Sequence, residues 1–273
     1  MSSTGNDIIS LHAIDKERTR YTGFYSKILS AAEQGLYERL ALQGLYEGHA
    51  FQGPFAGESP ARMPFELFVW LLWSVKESAY KYLKRTEPGL IFSPTGIIVR
   101  QIDLPSGPVT NFEGGQWESA MQRLPGSAGD CPGERFCTGT VCHGSAVLYF
   151  RSTIHTEYIA TVVAGEEGFD NVWWGVQRID HPSHEHQSKM VRDLARQRLN
   201  AVCPGDELSI RKSPSGHPIV CKGDMEMKIP VSLAHHGCFV AYSLSTADLA
   251  GILPDEGLPS GRFLTTRSSR SNG

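Results

Sequence analysis

The segment Trp73-Ser74-Val75-Lys76-Glu77-Ser78-Ala79-Tyr80-Lys81 sets a carboxylate and an ammonium group one helical turn apart, with a second lysine beside the carboxylate. Taken alone, Glu77 and Lys81 form a common surface pair worth about 0.2 to 0.5 kcal/mol. Chemistry needs a second acid. Asp7 is the candidate, because it lies in an apolar run between Gly5 and Ile8-Ile9. Magnesium takes one or two protein carboxylates, keeps several waters and fills its other positions with substrate phosphate oxygens. Asp7 and Glu77 suit that role as metal ligands. Lys76 and Lys81 would then face the phosphates, where a positive point charge stabilises the charge that develops during transfer.

Other clusters compete. Cys131, Cys137, Cys142 and His143 invite a zinc reading, yet their C-x5-C-x4-C-H spacing lacks the closely spaced cysteine pairs of structural zinc sites. His181, His184 and His186 crowd a Pro/Ser loop that reads as an exposed linker. A zinc-dependent hydrolase built from these two clusters is one alternative; it requires stoichiometric zinc and a dependence on Cys137 or His184. His235-His236, read alone, is a strand-end or core pair, and Trp173-Trp174 is packing.

The elements that must position these groups follow from hydrophobic periodicity. A short apolar strand near Asp7 to Leu11 precedes a helix expected over Tyr21 to Leu45. A loop from Gly48 to Pro64 leads to an amphipathic helix from Phe65 to Arg85, whose Phe65, Phe68, Val69, Leu72, Trp73, Lys76 and Tyr80 share a face and which Pro88-Gly89 stops. Strands are expected at Gly96 to Ile102, Ala146 to Ser152 and Tyr158 to Ala164, with a Gly/Pro/Ser-rich insert from Leu104 to Gly144. After Gly168 the pattern restarts with a strand at Val172 to Ile179, a helix at Ser188 to Val202, and strands at Leu208 to Lys212 and Cys238 to Ser243. This order predicts an α+β chain of two halves, 1-168 and 169-253, with a turn-rich tail over 254-273. The halves echo each other in element order without a sequence repeat.

At 273 residues with 40% hydrophobic and 20% charged residues, the chain is neither disordered nor low in complexity. Its formal net charge of -3 supplies no global basic field for nucleic acid. The apolar run from Phe65 to Val75 is about half the ~20 residues of a membrane-spanning helix. The opening MSSTGNDIIS carries no signal-peptide pattern, so the expected location is the cytoplasm, with cysteines as thiols.

Gly5-Asn6-Asp7-Ile8-Ile9 and the Trp73 to Lys81 segment together resemble the paired signature of the 4'-phosphopantetheinyl transferase superfamily, a G-x-D-[IV] strand and a W-x-x-K-E-[SA]-x-x-K helix. Ser215-Gly216-His217-Pro218 and Ser232-Leu233-Ala234-His235-His236-Gly237 resemble its G-K-P and N-[IL]-S-H-[ST] elements. These last two precede the G-x-D strand in surfactin-type members and follow the K-E-S helix here, so the chain resembles a circular permutation. Its start resembles the short holo-acyl-carrier-protein-synthase type, which builds its site between identical subunits. The resemblance implies that two fused halves of this chain, as a monomer, make that contact internally, with coenzyme A in the cleft between them.

What the resemblance implies for residues is specific. Asp7 and Glu77 are similar to the magnesium ligands, with Glu77 also a candidate base; Lys76 and Lys81 neutralise pyrophosphate. His235 aligns with a histidine on a coenzyme A phosphate, with Ala234 where a serine is usual. Gly216, His217 and Pro218 align with the turn bordering the adenine nucleotide, His217 replacing a lysine. Lys189 or Arg192 would lend a basic group to the 3'-phosphate. Ile9 and Ser10 stand where many members carry a further acid, which implies a two-acid metal site with water in the third position. The implied reaction is magnesium-dependent transfer of 4'-phosphopantetheine from coenzyme A to a serine of an acidic acyl or peptidyl carrier protein, releasing 3',5'-ADP. Lys27, Lys81, Lys84 and Arg85 are candidates for the carrier-facing basic patch. A catalytically inactive coenzyme A or carrier-protein binding module is the other alternative.

Overall fold

The computed structural model describes residues 3–47, 63–104, 136–203 and 207–246. The order is strand β1 (Gly5–Ser10), helices α1 (Lys16–Arg20), α2 (Thr22–Tyr25), α3 (Ala31–Glu47) and α4 (Phe65–Thr86), then strands β2 (Ile98–Asp103), β3 (Cys137–His143), β4 (Ala146–Ile154), β5 (Tyr158–Ala164) and β6 (Val172–Arg178). Helix α5 (His184–Val202) and strands β7 (Leu208–Lys212), β8 (Pro218–Lys222), β9 (Met225–Met227), β10 (Val231–His236) and β11 (Phe239–Ser245) follow. Among the described residues the ladders are antiparallel and give three sheets, ordered β1-β5-β4-β3-β2, β10-β11-β6 and β7-β8-β9. The fold is α+β, as the sequence predicts.

Helix α4 is the core element of the first half. Leu67, Phe68, Leu71, Leu72, Val75 and Ala79 are all fully buried against the five-stranded sheet. Strand β1 lies at the edge of that sheet but inside the molecule, and every one of its residues is buried. Its odd positions face α4. Its even positions face the second sheet, where Ile8 packs with Ala234, Phe239 and Ala241.

The free edge of β1 is closed by side chains rather than by a ladder. Asn6 N donates to Ser232 Oγ at 3.1 Å and Ser10 N donates to His236 Nδ1 at 2.8 Å. These two bonds share one offset along the chain, so β10 runs parallel to β1, and the exposed row of donors that makes an edge strand a liability is satisfied internally.

A polar knot fixes the height of α4. Glu33 is fully buried and accepts from Ser30 N at 2.8 Å, Ser30 Oγ at 2.9 Å, Val99 N at 2.8 Å and Lys76 Nζ at 2.7 Å. Ser30 Oγ accepts in return from Glu33 N at 3.3 Å, a reciprocal capping box that starts α3. This start explains a correction. The helix expected over Tyr21 to Leu45 is divided into α2 and α3 by a turn, and α1, capped by Asp15, precedes it. The carbonyl of Ile28, freed by the break, accepts from Lys76 Nζ at 2.6 Å.

Other corrections follow from caps and pairing. Ser183, after Pro182, caps α5 by accepting from His186 N, so His184 and His186 lie in a helix rather than a linker. Within the expected Leu104 to Gly144 insert, Cys137–His143 is a strand paired with β2 and β4, while 105–135 lies outside the described residues, as does the 254-273 tail. The chain passes from the first sheet to the second between β5 and β6, on either side of Gly168.

Replacing one member of the buried Glu33–Lys76 pair strands the other charge. Lys76→Met is expected to cost about 3 to 5 kcal/mol in urea denaturation, and the double replacement Glu33→Gln with Lys76→Met less than the single one. Gly5→Ala is also expected to destabilise, because a Cβ there would collide with the Ser78 carbonyl and lie 2.9 Å from Tyr82 N; the melting temperature reads it.

Candidate active site

The backbone of β1 reaches that of α4 only because position 5 lacks a side chain, and Asp7 follows two residues on, on the same face. Asp7 therefore points at α4. Its Oδ1 lies 3.3 Å from Lys81 Nζ, which also donates to the Asn6 carbonyl at 3.0 Å. Glu77 Oε1 lies 3.4 Å from the same ammonium, one turn back along the helix. The structure thus brings Asp7, Glu77 and Lys81 together.

Burial pushes the Asp7 carboxyl up to about 7; Lys81 opposes the rise and Glu77 adds to it. Burial alone would lower Lys81, but the charges of Asp7 and Glu77 hold it above its ordinary value. Asp7 Oδ2 is buried with no hydrogen-bond partner among the described residues. A buried carboxylate oxygen without a donor is a costly arrangement that a cation would relieve. Asp7 and the partly exposed Glu77 fit a magnesium ion that keeps water and substrate oxygens in its remaining positions. Among the described residues no group of three or more His, Cys, Asp or Glu side chains is arranged to hold a metal. That also weighs against the zinc alternative: Cys131 lies outside the described residues, and Cys137 and Cys142, an odd number of positions apart on β3, point to opposite faces.

Lys76, expected at the pyrophosphate, requires correction. It is fully buried, and its Nζ donates to Glu33, to the Ile28 carbonyl and to the Pro94 carbonyl at 2.9 Å, which uses all three protons. It belongs to the knot that positions α4, and not to the Asp7 cluster. Two candidates for the carrier-facing patch, Lys84 and Arg85, are partly exposed and each holds a backbone carbonyl: Lys84 Nζ donates to Leu90 O at 2.7 Å, and Arg85 donates to Val231 O.

The second-half residues approach from β10, α5 and the β7–β8 turn. The ring of His235 meets that of His184 edge to face at 5.3 Å, and burial followed by the charges of His184 and Lys81 lowers its pKa. Lys189 and Arg192 both line an open groove of about 460 Å³ along α5, shared with His184 and Ser188. Arg192 Nη1 donates within the helix, to Ser188 O and Ser188 Oγ at 2.9 Å each. Gly216 has φ +93°, a left-handed conformation that favours glycine, and its N–H closes the turn on Ser213 O at 2.9 Å. His217 Nδ1 lies 3.0 Å from Ser215 Oγ, and Pro218 opens β8.

His236 is a residue that sequence reasoning set aside. Its Nδ1 accepts from the Ser10 backbone, burial lowers its pKa, and Glu77 is the charge that opposes the lowering. Gln187 Nε2, donating to the Gly237 carbonyl at 2.8 Å, ties the hairpin carrying both histidines to α5. Strict alternation along β10, with Ser232, Ala234 and His236 on the β1 side, was the signal that could have found it.

Asp7 gives a signed pH dependence. With a folded value of about 7 against an unfolded value near 3.9, the folded state holds a proton that the unfolded state has lost, so this group makes stability fall as pH rises across that window. The depressed imidazoles of His155, His217, His235 and His236 act in the opposite sense below about 6.5. The readout is therefore the difference between wild type and Asp7→Asn in metal-free buffer. Asp7→Asn is expected to gain on the order of 4 kcal/mol relative to wild type between pH 4 and 7.5, by urea denaturation.

No curated protein matches the chain, and no solved structure does. A family model does match, over residues 3–130, a span that takes in β1 and α4 and leaves Gly216, His217, Pro218 and His235 beyond it. The strand and helix that bring Asp7 to Glu77 and Lys81 thus lie in the part of the chain that matches the model of the 4'-phosphopantetheinyl transferase superfamily.

Proposed function

We propose that this chain transfers 4'-phosphopantetheine from coenzyme A to a serine of an acyl or peptidyl carrier protein. Transfer of phosphopantetheine is what the superfamily does in general. The observation that supports the finer reading is the convergence of Asp7, Glu77 and Lys81, with one buried Asp7 oxygen left without a donor among the described residues. Coenzyme A would lie between α4 and β10, with its nucleotide toward the Gly216–Pro218 turn and its pyrophosphate at Lys81.

In that reaction the carrier's serine oxygen bonds to the phosphorus that carries the pantetheine arm, and the bond from that phosphorus to the bridging oxygen breaks. 3',5'-ADP leaves with the electron pair. Glu77, partly exposed and next to Lys81, accepts the serine proton. Lys81 holds positive charge beside both acids and neutralises charge on the pyrophosphate as it leaves. Asp7 and Glu77 would hold magnesium, which when bound shields the pyrophosphate charge. The chain's own contribution is largely positioning: α4 is fixed by the Glu33–Lys76 knot, and β1 is fixed between α4 and β10.

The test is the intact mass of an apo carrier protein after incubation with this protein, coenzyme A and magnesium. The expected outcome is a gain of one phosphopantetheine group, abolished by chelation. Glu77→Gln should slow the gain by roughly a hundred- to ten-thousand-fold. Coenzyme A binding without any mass gain over a panel of carriers would replace this reading with the inactive binding module.

A further inference from the structure

The imidazole of His236 is held by one nitrogen and free at the other. Its Nδ1 lies 2.8 Å from the backbone N of Ser10, a group that can only donate, so Nδ1 accepts and the ring proton sits on Nε2. The surroundings lock that orientation. Gly237, at φ +57°, lies directly against Ser10, where a Cβ would stand 2.8 Å from Ser10 Cβ, and Gln187 Nε2 pins the Gly237 carbonyl to α5. The Nε2–H has no partner among the described residues, and the ring is only partly buried. The charge whose field reaches this ring from α4 is Glu77. Glu77 in turn is loosely held. Its Oε1 lies 3.4 Å from Lys81 Nζ, an ammonium that also serves Asp7 at 3.3 Å and the Asn6 carbonyl at 3.0 Å, and its second oxygen carries no hydrogen bond among the described residues. A lysine that turns to neutralise phosphate charge releases Glu77 from the one group that orients it.

We infer that His236 is a positioning residue for Glu77: its Nε2–H donates to the Glu77 carboxylate during transfer and aims the other carboxylate oxygen at the serine hydroxyl. This inference rests on the transferase reading above and deepens it. A neutral imidazole suits the task. A second cation beside Glu77 would stabilise the carboxylate and weaken it as a base, whereas a neutral N–H fixes its direction at a smaller cost in basicity. The bond to Ser10 serves the same end, because Ser10 ends the strand that carries Asp7, so the ring that orients the base is referenced to the strand of the metal-site acid. His235, the preceding residue, points to the other face of β10, toward His184, and cannot substitute.

Two substitutions separate the nitrogens. An asparagine keeps an acceptor in the place of Nδ1 and lacks the distal donor, whereas a glutamine sets its amide N–H near Nε2 and gives up the bond to Ser10. The readouts are the rate of carrier mass gain at varied coenzyme A, and thermal melts. His236→Asn is expected to melt near wild type yet lower kcat roughly ten- to a hundredfold, with KM for coenzyme A changed less than about twofold. His236→Gln is expected to melt lower and keep kcat within about threefold of wild type. Placed in a Glu77→Gln background, His236→Asn should slow the residual rate by less than about twofold, because the group it orients is gone. Wild-type kcat in His236→Asn overturns the assignment. So does an undiminished loss in the Glu77→Gln background, or a kcat that follows the melting temperature so that His236→Gln is the slower variant, which is what loss of the Ser10 bond alone would produce. If His236→Asn does not fold, His236→Gln decides, and a kcat more than about threefold below wild type overturns the assignment. If wild type itself adds no mass to any carrier, the transferase reading falls, a result distinct from each of the others.

Discussion

The site depends on one close approach, the backbone of β1 lying against the backbone of α4 at Gly5 and Ser78. Any side chain at position 5 would push the two apart, and the separation would be felt at Asp7, two residues along the same face. Salt-bridge and metal geometries both decay within a fraction of an ångström, so a glycine that catalyses nothing sets the reach of the residues that could. The G-x-D spacing is thus a packing rule written next to a chemical one. Its glycine admits the helix, its middle residue lends a carbonyl to Lys81, and its aspartate faces the two charges on α4.

A second constraint holds the helix where the strand can find it. The Glu33–Lys76 pair is fully buried, which is expensive unless every donor and acceptor is satisfied. Here both partners are. Four hydrogen bonds reach the carboxylate and the ammonium gives three, joining α3, α4, β2 and the two turns at Ile28 and Pro94. Such a network contributes less to stability than to uniqueness, because apolar side chains tolerate sliding and a six-bond knot does not. It fixes the rotation of α4 so that Lys81 meets Asp7 on β1 with Glu77 beside it.

Much of this was legible in the residues. Helix α4 could be read because its apolar stripe is long and uninterrupted, and β5 because its seven residues are β-branched or apolar almost throughout. The division of α2 from α3 was hidden because the apolar period continues across it; the signal was local, Ser30 three residues before Glu33. Lys76 was misread for a related reason. A lysine next to Glu77 in a phosphate-facing motif looks like a second phosphate cation, and only the position of Glu33, far away in sequence, turns it inward. The role of His236 was hidden because its partner, Ser10, is more than two hundred residues distant, and no spacing rule reaches that far.

The state of Asp7 connects these strands of argument. A carboxyl with one oxygen sharing a lysine and the other without a hydrogen-bond partner among the described residues contributes little to stability, and burial holds its proton until about neutral pH. Nothing in the packing requires an acid there: Thr161, its neighbour across the ladder on β5, and Ile9, two residues on, show that neutral and apolar side chains fit the same face of the sheet. A group retained at a cost to the fold, beside a second carboxylate and a lysine held charged, is where a perturbed acid is expected to serve chemistry rather than structure. Divalent-cation binding would then have to displace that proton. On this view the desolvation that raises the proton affinity of Asp7 would make a divalent cation compete with a proton for it, so cation binding would strengthen as pH rises past about 7, while the fold's stability and its activity draw on one carboxylate in opposite senses.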